Sequence, residues 1–213
     1  MTSCISFTRN IKVNKDGSGS EVIIITYSKT FMDIIISLGT MSDSTRVDEV
    51  RDSIYNDDNF IIKSRDKYNE LEGITITGIT SVTNPDSSKT MTISYDFLNI
   101  TDITRTMEPE GDRPGASNST VTYVDEGDHI NFRMAIEKEK QDDAGQDTSY
   151  TSLQEAIGKL FEGEELIFNF DFDYDVISSN ATSQDGRSLI WVYNMADVYK
   201  SEEPIILEAV LQK

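Results

Sequence analysis

The segment Leu166-Ile-Phe-Asn-Phe-Asp-Phe-Asp-Tyr-Asp175 alternates apolar and polar residues along its whole length. Successive side chains of a β-strand point to opposite faces, so Phe168, Phe170 and Phe172 would share one face and the acidic residues the other. The pattern predicts a half-buried strand with one wet acidic face. Such strands are typical of antiparallel sheets that pack one face against a core.

Segments with similar alternation lie on both sides of this strand, separated by turn residues. The first covers residues 5–13, where Arg9 interrupts an apolar face, and a return strand is predicted over residues 21–28. The Asp-Gly and Ser-Gly steps between them supply the positive φ angles that a hairpin turn needs. Two further predicted hairpins pair residues 70–82 with 90–97 and 120–124 with 129–136, and closing strands are predicted over 188–194 and 203–211.

Helical spacing of apolar residues appears over residues 31–41, 44–56 and 150–161. Residues 57–59 are predicted to end the second helix, and residues 60–63 to form a short strand. The predicted fold class is α+β, a mainly antiparallel β-sheet built from hairpins with two or three packed helices. Residues 5–213 are predicted to form a single α+β domain, which is within the usual domain size.

The charge balance restricts the classes of partner. The chain carries 38 acidic and 19 basic residues, a net charge of −19. Contacts to nucleic acid phosphates need clustered Lys and Arg, so no nucleic acid partner is expected. Direct docking on anionic lipid headgroups is disfavoured for the same reason. The strongest apolar runs, residues 22–25 and 34–36, are far too short to span a bilayer.

Cys4 is the only cysteine, so no internal disulfide is expected. Thr2-Ser3-Cys4 is similar to the end of a bacterial lipobox after the signal peptide has been cut back and a start Met added. Residues 1–4 are therefore interpreted as a lipobox remnant, with Cys4 as the lipid attachment site and the membrane as a partner through that lipid. The alternative interpretation is a free or buried cysteine of a cytosolic protein.

Other candidate sites are weak. Asp171, Asp173 and Asp175 could offer oxygen ligands to calcium, but a straight strand cannot converge three carboxylates, and a solvated strand edge is the favoured interpretation. His129 is the only histidine, and a zinc site needs further nitrogen or sulfur ligands. Because no phosphate loop, nucleophile elbow or metalloprotease motif occurs, the sequence predicts no metal, no cofactor and no catalytic residue.

Several motifs occur in an order known from one protein group. They are Cys4 followed by a strand and the Asp16–Ser20 turn, the segments Val22–Tyr27 and Tyr68–Ile76, and Asn180–Gly186 leading into Leu189-Ile-Trp191 and a closing strand Pro204–Val210. In this order the chain resembles bacterial envelope lipoproteins of the LppM-like, DUF3153-type group. The resemblance implies a lipid-anchored α+β domain with no known enzymatic activity. Cys4, the lipid attachment site, is the one functional position that it implies in this chain.

The sequence thus predicts a non-catalytic, lipid-anchored domain of the cell envelope that faces the periplasm or the exterior. It would bind an unknown envelope component or protein partner. The first alternative is a lipid or glycolipid pocket between the sheet and its helices, with Phe168, Phe170, Phe172 and Trp191 facing the ligand where the helix over 150–161 leaves space. The second is an enzyme with carboxylate chemistry, which would need several acidic residues converging in a cleft.

Overall fold

Two β-sheets and a set of short helices make up the computed structural model, which describes residues 4–40, 44–107, 117–138, 158–201 and 203–213. One sheet has seven strands in the order β3-β4-β2-β1-β7-β10-β9, and the other has four in the order β5-β6-β11-β8. The strands are β1 (Ile5–Val13), β2 (Gly19–Tyr27), β3 (Ile74–Thr83), β4 (Lys89–Phe97), β5 (Ser117–Asp125), β6 (His129–Lys138), β7 (Glu165–Phe172), β8 (Asp175–Ser179), β9 (Ser183–Asp185), β10 (Ser188–Asn194) and β11 (Ile205–Gln212).

The helices are concentrated between β2 and β3. They are α1 (Lys29–Gly39), α2 (Val47–Tyr55), α3 (Asp57–Asn69), α4 (Ile103–Met107) and α5 (Met195–Lys200), with 3-10 turns at Ser44–Arg46 and Ile100–Asp102. Residues 158–160 are also helical. The rest of the helix predicted over 150–161 lies outside the described residues.

The predicted fold class is confirmed. All three predicted hairpins form, as β1 with β2, β3 with β4 and β5 with β6, and each pair is antiparallel. Among the described strands, the pairing of β1 with β7 is the single parallel one. Gly78 lies at a register shift between β3 and β4, as expected for a glycine inside a strand.

The alternating segment forms β7, but the strand is shorter than predicted. Phe168, Phe170 and Phe172 are each 1% exposed, so the predicted buried face is confirmed. The strand ends at Phe172, whereas the prediction carried it to residue 175. That extension was wrong because the chain leaves the seven-stranded sheet here, and β8 pairs with β11 in the other sheet.

The main core lies where the two sheets face each other. Phe132 of β6 packs against Phe170 and Phe172 of β7, with ring centroids 5.0 and 5.3 Å apart. Further along the seven-stranded sheet, α3 covers the inner face in place of the second sheet. There Tyr68 packs against Tyr95 of β4, with ring centroids 5.3 Å apart. One continuous set of buried residues links both regions.

The short strand predicted over residues 60–63 is wrong, because those residues lie inside α3. The Asn56 side chain accepts a hydrogen bond from the Asp58 amide at 3.0 Å and caps this helix. Asp57 and Asp58 then occupy the first turn, where the helix dipole stabilises negative charge. The acidic residues that were interpreted as the end of one helix therefore begin the next.

The β1–β2 and β3–β4 hairpins use the same loop, built from residues 14–18 and 84–88. In each loop the Asn side-chain amide donates to the Ser hydroxyl, at 3.0 and 2.9 Å, and the Asp carboxylate accepts from the Ser amide, at 3.1 and 3.0 Å. The fourth residue has a positive φ, 84° for Gly17 and 65° for Ser87. The pattern Asn-x-Asp-x-Ser is therefore the signal for this loop in the chain.

A buried ion pair lies on the inner face of the seven-stranded sheet. Arg9 is 2% exposed and Glu21 0% exposed, and the guanidinium donates to both carboxylate oxygens, with Nη2–Oε2 at 2.8 Å. The Tyr95 hydroxyl also donates to Glu21 and lies 3.1 Å from the Thr106 hydroxyl. Burial alone would lower the pKa of Arg9, but the charge and hydrogen bond of Glu21 together with the nearby Tyr95 and Tyr68 outweigh burial and raise that pKa. Burial raises the pKa of Tyr68, beside this pair, to about 12.

Removing one charge of this pair is expected to destabilise the fold strongly. Glu21→Leu leaves the Arg9 guanidinium buried without its counter-ion, which should reduce the free energy of unfolding by about 3–5 kcal/mol. The double variant Arg9→Met/Glu21→Leu removes both charges and should be more stable than Glu21→Leu alone. Urea unfolding of Glu21→Leu, Arg9→Met and the double variant measures the coupling between the two residues. If the loss in the double variant equalled the sum of the two single losses, the expectation would be contradicted.

Candidate functional site

Cys4 lies directly before β1 and is partly exposed. Its backbone amide donates to the carboxylate of Glu164, which is 5% exposed, and its carbonyl accepts from the Ser28 amide at 2.9 Å. The cysteine is thus fixed at the start of β1, the central strand of the large sheet, with no linker between them. Lipid attachment at Cys4 stays a prediction.

The four aromatic residues predicted to face a ligand belong to the buried core. Phe168, Phe170, Phe172 and Trp191 are each 1% exposed. The Phe170 ring meets Trp191 edge-on at 5.6 Å, and the Trp191 indole N–H donates to the Asn180 side-chain oxygen at 2.7 Å. Phe132 of β6 packs against Phe170 and Phe172, so contacts within the protein bury these two rings.

The acidic residues of the alternating segment do not converge. Asp171 is exposed at the end of β7, while Asp175 is in the other sheet and forms an ion pair with Arg187 at 2.6 Å. His129 contacts the neighbouring Asp128 carboxylate at 2.5 Å. No group of three or more His, Cys, Asp or Glu residues in the described part of the chain is arranged to hold a metal ion.

A groove lies elsewhere, between the three helices that follow β2 and the adjacent end of the seven-stranded sheet. Its volume is about 410 Å³. The described residues that line it are Tyr27, Phe31, Met32, Ile35, Ile54, Asn56, Asn59, Phe60, Lys63, Ser64, Lys89 and Met91. We call this feature the helical groove.

One wall of the helical groove is apolar and comes mainly from α1. Tyr27 and Phe31 stack with their rings 5.2 Å apart and 9° from parallel. Met32 is 2% exposed and belongs to the floor, whereas Ile35, one turn after Phe31, is 38% exposed and lies at the opening. An apolar side chain that stays this exposed beside a groove can add contact area to a bound apolar ligand.

The opposite wall comes from the junction of α2 and α3, where polar groups cluster around Lys89. The Lys89 ammonium is 2% exposed, donates to the Ile54 carbonyl at 2.8 Å and lies 3.0 Å from Asp57 Oδ1. Asp57 also accepts from the Ser81 hydroxyl at 2.6 Å. The hydrogen bonds from Ser81 and then Lys89 lower the pKa of Asp57. Lys89 therefore ties the end of α2 and the start of α3 to the sheet.

The sequence did not reveal the helical groove. The spacing of Phe31 and Ile35 predicts one apolar face on α1, but a face alone does not say whether it is fully covered. The strand predicted over residues 60–63 hides the fact that Phe60 and Lys63 lie one helical turn apart on α3 and line the same groove. The capping pattern Asn56-Asp57-Asp58 could have predicted α3 and with it the second wall.

Comparison with solved structures shows a likeness in fold. The folded domain of the LppM protein of Mycobacterium tuberculosis, solved by NMR, matches with a TM-score of 0.48 and 10% sequence identity. The match covers 99% of this chain and 90% of that chain. No family model matches the chain, and no curated protein sequence matches it. Within the described residues, no helix has the length and apolar character needed to cross a membrane.

The Asp57 carboxylate is expected to make the α2–α3 junction sensitive to acid. Its folded-state pKa is lowered, so its contribution is present above the ordinary Asp pKa of about 4 and is lost as the pH falls through the lower folded-state value. Asp57→Asn should lower the free energy of unfolding at neutral pH by less than about 1 kcal/mol, because the carboxylate is partly exposed. The deficit should shrink towards acid pH.

Urea unfolding across the pH range measures this deficit. Asp66→Asn, which removes an exposed carboxylate from the same helix, is the matched control and should show no comparable deficit. A constant difference between wild type and Asp57→Asn at every pH would contradict the proposed origin.

Proposed function

We propose that this chain is a non-catalytic binding domain of the cell envelope that holds the apolar chain of an amphiphile in the helical groove. We further propose that a lipid on Cys4 attaches the domain to a membrane, facing the periplasm or the exterior. The apolar wall formed by Tyr27, Phe31, Met32 and Ile35 is the observation that carries this proposal.

The dimensions and chemistry of the groove support a small amphiphile. Ligand sites in proteins commonly have volumes of about 300–1,000 Å³, mostly apolar walls and a few polar groups. The helical groove, at about 410 Å³, is near the lower end of that range, which favours one apolar chain over two. No polar lining residue comes from α1; the polar residues come from the α2–α3 segment and β4, namely Asn56, Asn59, Lys63, Ser64 and Lys89. An apolar wall apart from polar groups suits an amphiphile.

The position of Cys4 relative to the groove supports the membrane attachment. Across the sheet, Ile5 pairs with Tyr27, and Tyr27 pairs with Lys89. Since neighbouring strands are about 4.8 Å apart, the start of β1 and Lys89 are separated by roughly 10 Å. An anchor at Cys4 would hold the groove close to the bilayer, where amphiphiles are concentrated.

Five of the described carboxylates are held by hydrogen bonds that suit structural roles. A general acid needs a raised pKa, which usually comes from burial or from a neighbouring carboxylate. Hydrogen bonds instead lower the pKa of Asp16, Asp57, Asp86, Asp125 and Asp128. These groups are therefore suited to holding turns, caps and ion pairs together.

A charge placed at the mouth of the groove is expected to weaken binding of an apolar probe. Ile35→Asp would bring a carboxylate against the apolar chain, and its desolvation should weaken binding of the neutral fluorophore N-phenyl-1-naphthylamine by about tenfold or more. Ile35 is already 38% exposed, so the fold should tolerate the change. Fluorescence titration gives the affinity, and thermal unfolding checks the fold.

Ile190→Asp is the matched control for this test. Ile190 is 36% exposed and lies on β10, away from the helical groove. This variant should bind the fluorophore like the wild type. Equal losses in both variants, or no binding by the wild type, would argue against the groove as the binding site.

Lipid attachment predicts a mass change that depends on Cys4. The native, full-length product should partition into the detergent phase and carry an acyl-sized mass increment. Cys4→Ala should remain in the aqueous phase without the increment, because the thioether cannot form. Intact mass spectrometry and phase partitioning read out both properties, and an unmodified wild-type protein would refute the anchor while leaving the groove proposal untouched.

A further inference from the structure

We propose that the helical groove selects amphiphiles with an anionic head, a carboxylate or a phosphate, and that Lys63 and Lys89 recognise it. This inference rests on the proposed function, since it concerns the head group of the same ligand. It adds which chemical class of amphiphile the groove accepts and which side chains discriminate.

The charge of the groove is opposite to that of the protein. In a chain where 38 of 213 residues are acidic, twelve residues taken at random would include about two acidic ones. The twelve described residues that line the groove include no acidic residue and two lysines. A local reversal of sign against a net charge of −19 favours an anionic group at this place and disfavours a cationic one.

Lys63 is the more accessible of the two. It is exposed on α3, one turn after Phe60, and forms no ion pair with any described residue. A lysine can lay its methylene stem along an apolar surface and keep its ammonium group at the boundary with water. At the rim of the groove this arrangement would place the positive charge beside the head of a ligand whose chain lies below.

Lys89 is the more deeply placed. A lysine ammonium has three N–H donors, and Lys89 uses two of them on the Ile54 carbonyl and the Asp57 carboxylate. The third has no partner among the described residues, and Lys89 lines the groove. An anionic oxygen within reach of this donor would gain a charge-assisted hydrogen bond in a poorly hydrated site.

Asp57 limits the charge that the groove can neutralise. Because its carboxylate already balances Lys89, the unbalanced charge at the site is that of Lys63. The structure therefore fits a head of low charge on a single chain. A fatty acid carboxylate and a monoalkyl phosphate share that chemistry, and inorganic phosphate alone lacks the apolar chain that the α1 wall would hold.

The test compares ligands that share one chain and differ in the head. Dodecanoate, dodecyl phosphate, dodecanol and inorganic phosphate each compete with N-phenyl-1-naphthylamine for the wild-type protein. The two anionic amphiphiles should bind more tightly than dodecanol, and inorganic phosphate should not compete. Lys63→Met should weaken binding of dodecanoate by about fivefold, the usual upper limit for a partly exposed charge pair, and leave dodecanol unchanged.

Lys12→Met is the control, because Lys12 is an exposed lysine of β1 outside the groove. It should leave both affinities unchanged. Equal binding of dodecanoate and dodecanol, or equal loss of both in Lys63→Met, would overturn the head-group inference while the proposed function stands. Failure of every amphiphile to compete would overturn both, so the two failures can be told apart. Lys63 is exposed and has no ion-pair partner among the described residues, so its substitution should not impair folding.

Discussion

The parallel pairing of β1 with β7 is the constraint on which the rest of the structure depends. It joins the strands β3-β4-β2-β1, all from the first half of the chain, to β7-β10-β9 from the last third. Seven residue pairs, from Phe7 with Leu166 to Val13 with Phe172, fix the register. A slip by one residue would turn Phe168, Phe170 and Phe172 away from the second sheet, so the aromatic core and this register require each other.

The inner face of the large sheet is covered by two kinds of element, and its chemistry changes where they meet. Over β7 and β10 it is aromatic and meets β6, whereas over β1, β2 and β4 it carries the Arg9–Glu21 pair under α3 and α4. Burying two charges costs free energy of desolvation, and the attraction between them offsets that cost only when hydrogen bonds satisfy the remaining polar groups. Here Tyr95 and Thr106 complete the network, which ties α4 to the sheet.

The parts of the fold that depend on local chemistry were predictable from the sequence. The loops at residues 14–18 and 84–88 follow from Asn, Asp and Ser side chains that bond within five residues. The end of β7 was not predictable, because alternation continues through Asp173 and Tyr174 while the backbone changes sheets. The start of α3 was misread because Asp and Asn favour both helix N-termini and turns, and only the Asn56 cap distinguishes them. The groove was missed because the spacing on α1 does not say whether its apolar face is covered, and because the strand predicted over residues 60–63 hid the second wall on α3.

The groove is built from the part of the chain that the core needs least. The two sheets bury the aromatic residues between themselves, while α1, α2 and α3 lie between β2 and β3 in the chain, and β4 lies between those two strands in the sheet. Since α1 does not have to complete the aromatic core, its apolar side chains can remain partly uncovered without loss of the sheet packing. Lys89 then holds the α2–α3 junction in place by bonds to Ile54 and Asp57. Under the proposed function, the sheets and the tethered helices would hold the apolar wall in place against the chain of a bound amphiphile.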